Sequence, residues 1–494
     1  MTTRGRAASG AQASQRVWVR VLPLVVIAVL LTTATADAAA SPAKLRWKTC
    51  GSAPTVQCSK IRVPTAWSRP NSPKVTLALT RLPATGPKRR LGTVMWNCGG
   101  PGCAAAQELK QAPGVFTPRL RERFDILAFD PRGTGKSTPV RCAGPYSDPS
   151  VPFWPANVAE FRHLSDFNAK LAKKCRRKTG AYLMHLGSVD VIRDMEAIRV
   201  AMRDGKLNWL GLSYGTMLGA LYAERYPHRI RTMALDGNLD RALSGPGMLA
   251  TEATAAENGF NRFASWCEGS AECPLQGQDV PAVFDALVAQ ANASPIPAKQ
   301  VPGSPPVTGV DIQGATDAGY LLFTQPNALE STSWLQLGPA LVSALQGDAS
   351  YFYSQATGGP NAIACLEFPV QARNFAQFNA AMTFARQVSP HLGGAVETAQ
   401  DMATCVGWPK PKRNPRHFLR IRGAPPALIV NATHDPSTSY AWALNVQTQY
   451  PGSVLLTRDG DGHTSSLSSP CAQKVIDTYL ISRRLPPRGA VCHD

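Results

Sequence analysis

The chain has 494 residues, 44% hydrophobic and 17% charged. That balance excludes a mainly disordered protein and suits one large α/β domain with an insertion, or two or three ordinary domains. Forty glycines and 41 prolines follow no period, which excludes collagen-like and repeat architectures. The formal charge of +19 comes from 52 Lys and Arg against 33 Asp and Glu. No basic patch is interleaved with aromatics, so nucleic acid is not an expected partner. The dispersed cations read first as a solvated face, and second as a surface for weak association with acidic cell-wall polymers. Twelve cysteines, an even number, point to an oxidising compartment.

The N-terminus carries Arg4, Arg6, Arg16 and Arg20, then an apolar run over residues 21–31, then small residues with 34–36 or 38–40 as cleavage sites. The run is shorter than the roughly 20 residues a spanning helix needs, so residues 1–40 read as a secretory signal peptide. An uncleaved anchor is the alternative. No later stretch has the length and apolarity of a span, and the mature protein is expected to be secreted, extracellular or wall-associated.

Residues 45–140 read as β-rich, with short apolar runs at 75–82, 93–96 and 124–129. From Ser188 the pattern becomes helical, Ile192, Met195, Ile198 and Met202 recurring at three- and four-residue spacing. A strand over 207–210, a helix over 216–226 stopped by Pro227, and a strand over 232–235 follow. Beyond Asn238 the sequence is helix-like for about 170 residues and includes a proline-rich loop at 294–307. Strands return at 427–431 and 454–457, and a helix over 474–480 closes the pattern. This alternation predicts an α/β fold with a mostly parallel sheet. The expected divisions are core at 41–240, a mainly helical cap at 241–415, and core again at 416–494.

Gly211-Leu212-Ser213-Tyr214-Gly215 has the G-x-S-x-G form of a nucleophile elbow, preceded by a strand and followed by a helix. Glycines flank such a serine because the strand-to-helix turn leaves no room for side chains. A serine hydroxyl needs a base, and the base needs an orienting acid, supplied in this fold in the chain order Ser, acid, His. Asp435 follows the strand at 427–431, and His463 follows the strand at 454–457, so both fall at strand ends. His434 competes as base and Asp236 as acid. The other six histidines lack metal-ligand spacing, so neither a metal nor another cofactor is expected. Cys98-Gly99-Gly100-Pro101-Gly102-Cys103 follows a strand and suits an oxyanion loop, with Gly100 and Tyr214 as donors and Gly99 as an alternative. Asp130-Pro131-Arg132-Gly133-Thr134-Gly135-Lys136-Ser137 ends like a phosphate-binding loop, but Asp130 stands where the first glycine is required.

In order, Gly-Gly-Pro-Gly, Phe-Asp-x-x-x-x-Asp-x-Arg-Gly-x-Gly-x-Ser and Gly-x-Ser-Tyr-Gly-Thr resemble the prolyl-aminopeptidase family of α/β-hydrolases. Trp47, Cys50, Cys58 and Val63-Pro64, with a C-terminal part from Pro426 to Cys492, narrow the resemblance to secreted bacterial tripeptidyl aminopeptidases. It covers nearly the whole mature chain. It implies an α/β-hydrolase fold, the triad Ser213, Asp435 and His463, and removal of short peptides, tripeptides foremost, from free N-termini. Cys98 stands where relatives carry His or Pro, and Cys103-Ala104-Ala105 replaces a Gly-Ser stretch.

Proximity and the resemblance together suggest the pairs Cys50–Cys58, Cys142–Cys175, Cys267–Cys273, Cys365–Cys405 and Cys471–Cys492. Cys98 and Cys103 are left to close a ring around the oxyanion loop, or to leave a free thiol. Related aminopeptidases hold the substrate ammonium with acids on the cap, for which Glu252, Glu257 and Glu367 are candidates here; each reads equally as a solvated surface acid. The function expected is a secreted serine exopeptidase acting on peptides. A carboxylesterase or lipase on the same triad is the first alternative, and a non-catalytic wall-binding protein the second. No feature specifies an oligomeric state.

Overall fold

Runs of apolar residues bounded by glycine, proline and charge become the strands of one ten-stranded sheet. They are β1 (Lys48–Thr49), β2 (Gln57–Pro64), β3 (Lys74–Leu82), β4 (Gly92–Asn97), β5 (Phe124–Phe129), β6 (Leu207–Leu212), β7 (Ile230–Asp236), β8 (Leu428–His434), β9 (Val454–Asp461) and β10 (Val491–His493). The structure is a computed structural model and describes residues 45–493 except 51–54, 149, 326, 328, 330–331, 357–361 and 410–413. The expected signal peptide at 1–40 lies outside the described residues. No helix among those described is long and apolar enough to cross a membrane.

The strand order is β1-β2-β3-β5-β4-β6-β7-β8-β9-β10. Pairings from β1 to β5 are antiparallel, and every pairing from β5 onward to β10 is parallel. The central strands β4, β5 and β6 are buried at every residue because helices cover both faces. Their alternating side chains feed two cores. Met95, Leu127, Trp209 and Leu235 join Met195, Ile198 and Leu218 from helices Ser188–Met202 and Tyr214–Arg225 on one face. Val94, Trp96, Ile126, Leu210 and Leu212 meet Leu109, Ile476 and Tyr479 on the other.

Two features differ from the sequence reading at their edges. The helix after the elbow begins at Tyr214 rather than Thr216, directly behind Ser213. Residues 158–179, too polar on average to be marked, form a 22-residue helix whose buried stripe includes Phe161, Leu164, Leu171 and Cys175. Between β7 and β8 the described residues are helical apart from connecting loops and one isolated bridge, Ile296–Val307, which closes the proline-rich loop. Six disulfides join Cys50–Cys58, Cys98–Cys103, Cys142–Cys175, Cys267–Cys273, Cys365–Cys405 and Cys471–Cys492. Such a set belongs to a chain folded in an oxidising compartment.

The segment that mimics a phosphate-binding loop is an architectural clasp. Asp130 Oδ1 accepts from Ala106 N at 2.9 Å and Gln107 N at 3.3 Å, and its Oδ2 accepts from Lys136 N at 2.8 Å. Arg132 is fully buried; its guanidinium donates twice to Asp194 at 2.6 Å and also to the carbonyls of Pro64, Thr65 and His185. One side chain thus ties the end of β2 to the helix Ser188–Met202. Arg132→Met should lower unfolding free energy by about 3–5 kcal/mol, because Asp194 is left buried without its counter-ion. Urea denaturation checks this.

Candidate active site

The C-terminal ends of β4, β6, β7, β8 and β9 lie along one edge of the sheet, where ligand sites of open parallel sheets form. The turn from β6 into helix Tyr214–Arg225 holds Ser213 at φ +52°, a conformation rare outside glycine. Its amide donates to Asp236 O at 2.9 Å, and its carbonyl accepts from Thr216 N at 2.8 Å. Glycines surround it because backbone and ring atoms converge there. Trp209 Nε1 donates to Gly215 O at 3.1 Å, and a Cβ on Gly215 would stand 2.8 Å from Asn97 Oδ1.

Asp435, in the loop after β8, and His463, after β9, are brought into contact. His463 Nδ1 lies 3.0 and 2.9 Å from the two Asp435 oxygens. Asp435 also accepts from Ser437 N at 3.0 Å, Thr438 N at 2.8 Å and Thr438 Oγ1 at 2.8 Å. With Nδ1–H directed at that carboxylate, Nε2 is left as the basic nitrogen. Burial works to lower the His463 pKa, but Asp435 above all, then Glu397 and Asp236, outweigh it and hold the imidazole above its usual value.

The competitors have other duties. Both Asp236 oxygens accept backbone amides, from Ser465 at 2.9 Å and Ser466 at 2.7 Å. His434 Nδ1 lies 2.7 Å from Asn258 Oδ1, and burial, then the nearby Arg262, lower its pKa.

The Gly-Gly-Pro-Gly loop meets the serine from β4. A Cβ on Gly99 would lie 2.7 Å from Ser213 Cβ, so only glycine permits the approach. Gly100, with Pro101 and Ser213, lines a cavity of about 310 Å³. The Tyr214 amide begins the helix beside Ser213, and its phenol is buried.

Apolar walls come from Leu239, Met248, Phe368 and Trp442, and acids from Glu252, Glu397 and Asp401. Among the described residues, no lysine or arginine lines this cavity. Glu252 receives Thr398 N and Thr398 Oγ1 at the start of helix Glu397–Cys405. Burial, then Glu397 and Asp317, hold its carboxyl well above the carboxylate range. Asp317, which accepts Glu397 N at 3.1 Å, is raised likewise by burial and then Glu397. Burial and Glu397 push Asp401 up to about 8.

Of the three acids singled out from sequence, only Glu252 lines the cavity. Glu257 accepts Ser389 Oγ at 2.9 Å and the amides of His391 and Leu392. Glu367 accepts Ser188 N at 2.6 Å and Ser188 Oγ at 2.8 Å, at the start of helix Ser188–Met202. Sequence reasoning passed over Glu397 and Asp401. Their four-residue spacing puts them on one face of a short helix, with no basic residue in that helix to pair them.

The fold, the elbow at Ser213 and the His463–Asp435 pair at the same edge of the sheet are those of a class, the serine hydrolases on an α/β-hydrolase scaffold. Residues 391–492 match the TAP-like protein family. Serine protease Hip1 of Mycobacterium tuberculosis is 31% identical, covering 88% of this chain and 87% of its own. Carboxylesterase B of Mycobacterium tuberculosis is 30% identical, covering 89% and 86%. Tripeptidyl aminopeptidase of Streptomyces lividans is 27% identical, covering 93% and 88%. The chain belongs to the TAP-like family of α/β-hydrolases.

An imidazole with a raised pKa stays protonated to higher pH, where as the base proposed for Ser213 it would be idle. The rate of inactivation by a neutral phosphonate should therefore rise with pH along a limb centred above the ordinary histidine value of about 6.5. Glu397→Gln removes one of the charges raising it, so the limb should move to lower pH. An unmoved limb would show that Glu397 does not act on His463.

Proposed function

We propose that this serine hydrolase is a secreted exopeptidase that removes short peptides, tripeptides foremost, from free N-termini through an acyl-enzyme. Ser213 Oγ attacks the scissile carbonyl while His463 takes its proton, held in orientation by Asp435. The amides of Gly100 and Tyr214, with Gly99 as the alternative to Gly100, receive the oxyanion. His463 then gives its proton to the leaving amine, and water releases the acyl group by the same route. Residues 1–40 act as the leader, the core comprises 41–240 and 416–494, and the helical segment 241–415 is the cap. The basic surface supports weak association with acidic wall polymers.

The observation that carries the peptidase reading is the acid-lined cavity that also contains Ser213. Three carboxyl groups with no cation beside them among the described lining residues are costly unless protonated or met by a positive ligand. A peptide's α-ammonium is such a ligand. An extended peptide covers about 3.3 Å per residue, so a tripeptide product asks for a carboxylate roughly 10 Å from the serine. The relative named as a carboxylesterase keeps the ester reading in play, since acyl transfer to serine is common to both. A neutral ester, however, brings Glu252, Glu397 and Asp401 no counter-charge. A purely binding role leaves the Ser213, Asp435 and His463 arrangement without a use.

Ser213→Ala should abolish turnover and phosphonate labelling, and His463→Ala should be nearly as damaging because the members act as a unit. His434→Ala should retain activity; the reverse pattern would displace His463 as base. Against chromogenic peptide amides, Asp401→Asn and Glu397→Gln should lose about ten- to hundredfold in kcat/KM on free-amine tripeptides, the value of a charged hydrogen bond. N-blocked peptides and short esters should be little affected. Equal losses on all substrates would refute the ammonium site, and faster turnover of esters than of any peptide would favour the esterase.

A further inference from the structure

The loop between β4 and helix Ala105–Gln111 carries Gly99, Gly100 and Gly102, all at positive φ (+102°, +91° and +116°). Glycine-rich backbone has the widest conformational freedom of any sequence. An oxyanion donor contributes only when its N–H is already aimed at the place where charge develops. A loop of this composition therefore needs a constraint. One end is tied by the Gly99 amide, which donates to Asn97 Oδ1 at 3.1 Å. The whole is closed by Cys98–Cys103, with Cα atoms 6.0 Å apart and a sequence separation of only five.

Stability is the weakest reason for this bond. The freedom a disulfide removes from the unfolded chain grows with the length of loop it closes. Here the other five have separations of 6, 8, 21, 33 and 40. The shortest loop in the set is the one packed against the serine, where Gly99 leaves no space for a Cβ beside Ser213. Gly100, inside the ring, lines the cavity with Ser213.

We propose that the Cys98–Cys103 disulfide is a positioning device for the oxyanion hole, fixing the Gly100 amide relative to Ser213 and thereby setting the rate of acyl transfer. This rests on the reading of Ser213 as nucleophile and Gly100 as donor. The bond takes no part in the chemistry.

The test compares wild type, Cys98→Ser/Cys103→Ser and Cys50→Ser/Cys58→Ser, the last removing a similarly short ring at the antiparallel edge of the sheet. Loosening a donor should cost about tenfold to a hundredfold in kcat, less than deleting one outright. KM should stay within about twofold. A substrate-like peptide aldehyde, whose serine adduct places an oxyanion in the hole, should weaken by the same factor as kcat/KM. The Cys50/Cys58 variant should keep wild-type kcat. Unchanged kcat in the Cys98/Cys103 variant, or a kcat loss without weaker aldehyde binding, would overturn the proposal. If that variant does not fold, partial phosphine reduction of native enzyme, alkylation and peptide mapping replace it: full activity in molecules alkylated at Cys98 and Cys103 overturns the proposal, and activity lost in step with alkylation there supports it. A wild type active on peptides but insensitive to both aldehyde and phosphonate would defeat the nucleophile reading and the clamp together; an aldehyde-sensitive wild type with an unaffected variant defeats the clamp alone.

Discussion

The turn at Ser213 is the constraint to which its neighbourhood conforms. A non-glycine residue at φ +52° persists only where surrounding structure over-determines it. Here that structure is the end of β6, the helix behind it, the loop from β4 and the carbonyl of Asp236 on β7. Asn97 touches two of these parts, accepting from the Gly99 amide while lying where a Cβ on Gly215 would go. The bulky indole of Trp209 fills the space beneath, so Gly219 must also lack a side chain. Strand, helix and loop are therefore fitted around one backbone conformation, and the small residues are its geometric price.

A second theme is the separation of charge within the molecule. The chain as a whole is strongly basic, yet among the described residues the charged groups lining the cavity beside the serine are all acids. Asp317, Glu252 and Glu397 gather at the start of helix Glu397–Cys405, where backbone N–H groups favour negative charge. That end of the helix makes the cluster tolerable without cancelling it; burial first, and then the neighbouring acids, keep Glu252 and Asp401 raised toward the neutral form. On the proposed reading, a site so poised gains most from a cation that arrives with its substrate.

Much of the scaffold was legible in the sequence because its signals are local. Parallel strands are short apolar runs between glycines and prolines, the 188–202 helix shows its period, and the elbow advertises itself through glycines. Asp435 and His463 were legible from their places after strands, and the structure brings their side chains together. Edge strands were less so: β10 has three residues and depends on pairing with β9. The acids of the helical segment between β7 and β8 were the least legible. Glu367 and Glu257 look like Glu252 in sequence, but each is committed to backbone amides that become its neighbours only when distant segments pack. Glu397 and Asp401 acquire meaning only when their helix is carried over the serine.

The placement of the helical segment within the sheet has a consequence for synthesis. β7 pairs with β8 as Ala234 with Leu428, neighbours in space that are far apart along the chain. The proposed nucleophile thus leaves the ribosome long before the acid and base assigned to it, and every helix between them must be made first. Pairings of such long range are slow to form because the intervening chain must be ordered. Ser213, on this reading, spends its early life as an ordinary serine. Hydrolytic power, on the same reading, belongs only to the finished polypeptide, since a chain cut short before β9 would lack His463 altogether.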